Sequence, residues 1–155
     1  MQSLADRHTS RSISDQAVSD QELSNLLWAT WGINRADGRH TAPTARNNQE
    51  VAVYVALSNG VWLYNPKENQ LELKLDQDAR YRLGGAPITL LYAAPSQDKY
   101  APMHIGALFQ NAGLYCASAG LANVVKGSGI DALNGMLELL PGYQVYIIHS
   151  IGYPK

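Results

Sequence analysis

The sequence predicts an α+β fold in one domain, 1–155, with a central, mostly antiparallel sheet flanked by helices. Three observations carry this prediction. Residues 51–75 read as a meander of three short strand-like segments, "PITLLYAA" is an apolar run of the kind found in a central strand, and capped helical periodicities lie before and after these strands. A chain of 155 residues, 46% of them hydrophobic, suits one domain that buries roughly 70% of its unfolded surface. A second domain does not fit.

The first long helix opens on a capping box, because Ser19 and Glu22 have the spacing at which each side chain satisfies the other's backbone donor. Leu23, Leu26, Leu27, Thr30 and Trp31 then recur at helical intervals until Gly32 closes the pattern. Trp28 and Trp31 sit on or beside this apolar face, where packing in the core or at a subunit interface is favoured over ligand stacking. Residues 34–48 turn polar around Gly38 and Pro43 and keep no period, so they read as an ordered loop. "EVAVYVAL", "VWLYN" and "QLELKL" are the three strands of the meander, the first two joined by the turn "SNG". After Pro102 a helix is expected to about Ser118, with Ile105, Leu108, Ala112 and Tyr115 on one face and Gly120 as its stop. "ANVVK" is a short strand leading into "GSG", "IDALNGMLELL" is expected as a further helix, and "YQVYIIHSIGY" as the last strand.

Composition narrows the function classes. Thirteen acidic residues stand against 12 basic ones, a balance that offers no polyanion-binding surface and speaks against nucleic acid as a partner. No apolar run approaches the roughly 20 residues of a membrane span, and the N-terminus has no apolar signal core. The chain as written is expected to be cytoplasmic and free of the membrane, unless a leader has been trimmed. A lone Cys116 excludes an internal disulfide and fits a reducing compartment.

Ordinary enzyme motifs are missing. No G-x-G-x-x-G follows a strand and there is no P-loop. His8, His40, His104 and His149 lack metal-ligand spacing and read as solvated or satisfied side chains, with no metal expected. Cys116 lies mid-helix and reads as core. Ser128, in "GSG", sits in a strand-to-helix turn but lacks G-x-S-x-G and any nominated acid–His pair. Two constellations remain. In "DRHTSRSI", Arg7, His8, Thr9 and Arg11 are the donor set a phosphate monoester needs, each charge-assisted hydrogen bond contributing about 1.5–3 kcal/mol. A frayed, solvated terminus is the competing reading. "APTARNNQ" packs short amides and a hydroxyl into a turn, where they either fix the backbone or contact a ligand's edge.

The ordered combination "RHTSR", "LLWATWGINR", "RHTAPTARNNQEVAVYV", "GALFQNAGLYCASAGLANVVKG" and "SIGYP" resembles the nitroreductase family of FMN-dependent oxidoreductases, close to the branch containing SagB-type dehydrogenases. The resemblance covers nearly the whole chain. It implies that Arg7, His8, Thr9 and Arg11 hold the phosphate, ribityl chain and pyrimidine edge of FMN, with Thr9 standing where serine is commoner. Pro43, Thr44, Ala45, Asn47 and Gln49 fall on the family's Pro-Ser-x-x-Asn-x-Gln loop, which implies delivery across the isoalloxazine by a second subunit and therefore a homodimer with FMN at the interface. Lys126, Gly127, Ser128 and Gly129 stand where the family lays backbone against the ring near N5, and glycine there permits close approach. Relatives carry a basic patch beyond the last strand, for which Lys155 is the stand-in. The short length implies that the helices covering the active site in some relatives are absent or minimal.

The activity implied is that of an NAD(P)H oxidoreductase. NAD(P)H gives hydride to flavin N5 and leaves, and a nitroaromatic, quinone or related small acceptor is then reduced on the same face. The flavin carries the chemistry, so no catalytic side chain is nominated. Gln110 and Asn111 match a family pair without an assigned contact, and Asn34 and Arg35 help to shape the loop. Two alternatives stand beside this reading: a SagB-type dehydrogenase acting on azoline rings, and a flavin-binding protein with little turnover.

Overall fold

The computed structural model describes residues 1–155. The chain begins with a short helix, α1 (Gln2–Asp6), which buries no residue and so left no apolar period in the sequence. Helix α2 (Asp20–Trp31) starts where the capping box places it: the Ser19 hydroxyl accepts the Glu22 N–H, and Leu23, Leu26, Leu27, Thr30 and Trp31 are buried. A loop with a single 3-10 turn (Ala45–Asn47) leads to strands β1 (Ala52–Leu57), β2 (Gly60–Asn65) and β3 (Gln70–Leu75). A second 3-10 turn (Arg80–Arg82) precedes β4 (Ile88–Pro95); then follow α3 (Ala101–Ala119), β5 (Ala122–Lys126) and β6 (Tyr143–Gly152).

The six strands form one antiparallel sheet in the order β3-β2-β1-β4-β6-β5. Alternation along the strands divides the core in two. Val53, Val55, Leu90 and Tyr92 face α2 and α3, meeting Leu26, Leu27, Ile105 and Leu108. Tyr54, Ala56, Leu91, Ala93 and Ile148 face the other way, onto Ala79, Leu83, Leu133 and Leu137. Strands β1 and β4 are thus buried on both faces, which is why their sequences are nearly continuous apolar runs instead of alternating ones. Cys116 is fully buried in the helix-side core, and burial pushes its thiol up to about 12, as expected of a core side chain.

One expected element does not form. "IDALNGMLELL" is a series of turns, closed by bonds such as Ala132 N–H to the Gly129 carbonyl and Asn134 N–H to the Asp131 carbonyl. Gly129 and Gly135 adopt φ of 86° and 78°, a left-handed backbone that interrupts a right-handed helix at both places. Leu133 and Leu137 nevertheless enter the core, so the apolar spacing that suggested a helix is satisfied by turns laid on the sheet. The Tyr54 hydroxyl accepts the Leu140 N–H at 3.0 Å and pins this cover down. No helix is long and apolar enough to cross a membrane.

Candidate functional site

The two ends of the chain meet. After the N-terminal arm crosses the edge strand, where Ser10 N–H donates to the Asn123 carbonyl at 2.8 Å, it runs antiparallel to the tail: Ser14 N–H donates to the Tyr153 carbonyl at 2.8 Å and Lys155 N–H to the Ser12 carbonyl at 3.2 Å. Gly152 makes the approach possible, because a Cβ there would lie 2.8 Å from Ile13 Cγ2 and 3.0 Å from Pro87 Cδ. Arg11 and Lys155, 144 positions apart in sequence by subtraction, are thereby placed on one cleft of about 590 Å³.

Lys126 enters the same cleft from the end of β5, its Nζ donating to the Leu83 carbonyl at 2.9 Å. Partial burial lowers its pKa below the ordinary 10.5. None of the three cations is in an ion pair, and Asp15 is the one carboxylate on the lining. Gly84 and Gly85 complete the wall with φ of 100° and 78°; a side chain on Gly84 would press on Lys126 Nζ, 3.0 Å from its Cβ. Ser14 and Ser150 also line the cleft, and their hydroxyl oxygens are buried without a hydrogen-bond partner. Buried polar atoms are nearly always paired, so two unpaired hydroxyls stand beside a cleft that also carries free positive charge. An anion bearing hydroxyls, which a flavin mononucleotide is, fits this donor set.

Not every expected residue lines the cleft. Arg7 is on the helix side of the sheet, its aliphatic stem near Gly113 of α3, while His8 and Thr9 are exposed and His8 Nδ1 bonds the Asp6 carbonyl. Gly127 and Ser128 are exposed beyond β5. The 43–49 segment sits at the far end of the sheet: it enters β1 at Ala52, which pairs with Ala93 near the end of β4, whereas the cleft lies at Ser150, paired with Thr89 near the start of β4. Five strand residues are about 14 Å, and the 43–49 loop extends further still. Its polar side chains are engaged internally, since Thr44 Oγ1 accepts the Gln49 N–H and Gln49 Nε2 donates to the Gly38 carbonyl and to Asn47 Oδ1. Of the two roles open to these side chains, fixing the backbone is the one visible within a single chain. Sequence reasoning passed over "LGGA" at 83–86 and the two serines; consecutive glycines before a strand were the available signal for the first, and nothing local marked the second.

The sequence profile of the nitroreductase family matches residues 4–153. The chain belongs to the nitroreductase family. A presumed nitroreductase of Methanocaldococcus jannaschii is 26% identical over 163 aligned positions, covering 88% of this chain and 81% of that protein. The crystal structure of a presumed nitroreductase from Ralstonia eutropha superposes with a TM-score of 0.90 at 32% identity, covering 99% of this chain and 82% of the other. A nitroreductase from Bacteroides fragilis, solved with bound FMN, shares the fold at a TM-score of 0.68 and 13% identity, over 99% of this chain and 87% of that one. This nitroreductase-family chain therefore has the family's α+β fold, and its cleft brings Arg11, Lys126 and Lys155 together beside two unpaired hydroxyls.

Proposed function

We propose that the chain is an FMN-dependent NAD(P)H oxidoreductase, one FMN-binding domain that works as a homodimer on nitroaromatic, quinone or related small acceptors. The observation that carries this reading is the separation of two motifs within one chain: the basic cleft lies at one end of the central strands and the 43–49 loop at the other. Two copies arranged head to tail bring the loop of one over the cleft of its partner.

Bound FMN supplies two-electron redox chemistry, accepting hydride from NAD(P)H and passing the electrons on to an acceptor. The chain's own residues bind and orient. Arg7, Arg11 and Lys155 offer charge-assisted bonds to the phosphate and the carbonyl-rich edge of the ring system. Thr9, which is exposed, would offer a hydroxyl to the ribityl chain. Lys126 and the 127–129 backbone would help to hold the ring system, whose reduction a positive charge would favour. Pro43, Thr44, Ala45, Asn47 and Gln49, from the partner, close the other side and keep water from the exposed face.

The deciding experiment is the visible absorption spectrum of the purified protein after incubation with FMN, followed by anaerobic addition of NADH and then NADPH. Flavin absorption that bleaches and returns with an added quinone is the expected result. Stable colour without bleaching would favour flavin storage over turnover, and no bound flavin would overturn the reading.

A further inference from the structure

The 43–49 loop is held in a conformation that its own sequence does not favour. Arg46, Asn47 and Gln49 have φ of 56°, 54° and 52°, left-handed values unfavourable for residues with a Cβ. Such conformations persist only where the surroundings over-determine them. Most of the restraints are local: Asn47 N–H to the Thr44 carbonyl, Asn48 N–H to the Ala45 carbonyl, and the Gln49 bonds within 38–49. These make the loop rigid in itself but do not set its position on the fold.

A tie from the loop to α3 is made by His104, in the first turn of that helix. Its side chain is 4% exposed, and its Nε2 accepts the Ala45 N–H at 2.8 Å. Accepting there requires Nε2 to carry no proton, which places the ring proton on Nδ1, 3.6 Å from Asp98 Oδ2. Asp98 is itself fixed, its Oδ1 accepting the Tyr100 N–H at 2.8 Å, and its Oδ2 lies 3.5 Å from Asn48 Nδ2. Asp98 thus places a carboxylate opposite the protonated ring nitrogen of His104, and His104 holds the first residue of the 3-10 turn.

We infer that His104, oriented by Asp98, is a positioning residue that docks the 43–49 loop on α3 and thereby sets the affinity of the partner's cleft for FMN. This rests on the function proposed above, and the test separates the two. His104→Leu fills the same space without an acceptor, whereas His104→Gln can place its amide oxygen where Nε2 stood. FMN affinity is measured by quenching of flavin fluorescence, and amide hydrogen exchange of residues 45–49 is followed in the FMN-free protein. The expected result is faster exchange and about tenfold weaker FMN binding for His104→Leu, the loss of one buried hydrogen bond, with both restored to within about threefold by His104→Gln. Should His104→Leu not fold, Asp98→Ala, on the turn ahead of α3, is expected to accelerate exchange in the same residues. Unchanged exchange at 45–49 in the folded variants, or FMN binding as tight in His104→Leu as in the wild type, would overturn the inference while leaving the proposed function intact. A wild-type protein that binds no FMN would instead remove the function and, with it, the link from loop to cofactor.

Discussion

His149 is fully buried between two partners: its Nε2 donates to Asn123 Oδ1 at 2.9 Å, and its Nδ1, left as an acceptor, takes the Tyr92 hydroxyl at 3.0 Å. Burial pushes its pKa from 6.5 down to about 3. The unfolded chain therefore binds a proton that the folded one refuses, so this contribution to stability is whole above pH 6.5 and is lost as pH falls from there towards 3. The expected slope reaches about 1.4 kcal/mol per pH unit. Urea unfolding at pH 7 and pH 5 measures it, and His149→Gln, which keeps a donor and an acceptor without a titrating ring, is expected to flatten it. Arg11→Ala, in the cleft, and Arg7→Ala, outside its lining, are each expected to weaken FMN binding by about 1.5–3 kcal/mol with an unchanged far-UV circular dichroism spectrum. Wild-type affinity in both would remove these residues from the cofactor site.

At the scale of elements, α2 depends on its cap and on Leu26 and Leu27, which are 0% and 2% exposed. Ser19→Ala frees the Glu22 N–H and is expected to cost about 1 kcal/mol, read as a lower urea midpoint with the same slope. The junction of arm and tail is more demanding. Gly152→Ala is expected to cost about 1–3 kcal/mol, because the new Cβ meets Ile13 and Pro87, and to weaken FMN binding as well, since the same contact brings Arg11 to Lys155. A loss of stability with FMN affinity unaltered would show that the cleft does not rely on that pairing. Strands β1 and β4 were legible because they are short, nearly unbroken apolar runs, and the two long helices because their apolar residues recur with a period. The 130–140 segment misled for the same reason: Leu133 and Leu137 have helical spacing, but Gly135 is left-handed between them and sequence periodicity carries no sign of handedness.

For the molecule as a whole, the cleft and the 43–49 loop at opposite ends of the sheet predict a site completed only by a second copy. FMN affinity is then expected to fall when the protein is diluted below its dimer dissociation constant, and sedimentation velocity of the FMN-loaded protein is expected to show a dimer. A monomer with full flavin occupancy would overturn the shared site. The family was accessible from motif order, but the arrangement of the cleft was not: Ser14, Ser150, Gly84 and Gly85 are unremarkable in sequence and become a wall only when β4, β6 and the arm are brought together.

The sequence by itself determined the secondary elements whose burial is periodic, the family, and the residue types for holding an anion, because period, caps and donor chemistry are local properties of the chain. Tertiary structure alone decided which of those residues meet. Arg11 and Lys155 share one cleft because Gly152 lets the arm and the tail approach, Lys126 joins them from the edge strand, and the 43–49 loop is tied to α3 where a histidine 59 residues downstream accepts the Ala45 N–H. Such contacts are set by long-range packing, which no local pattern in the sequence encodes.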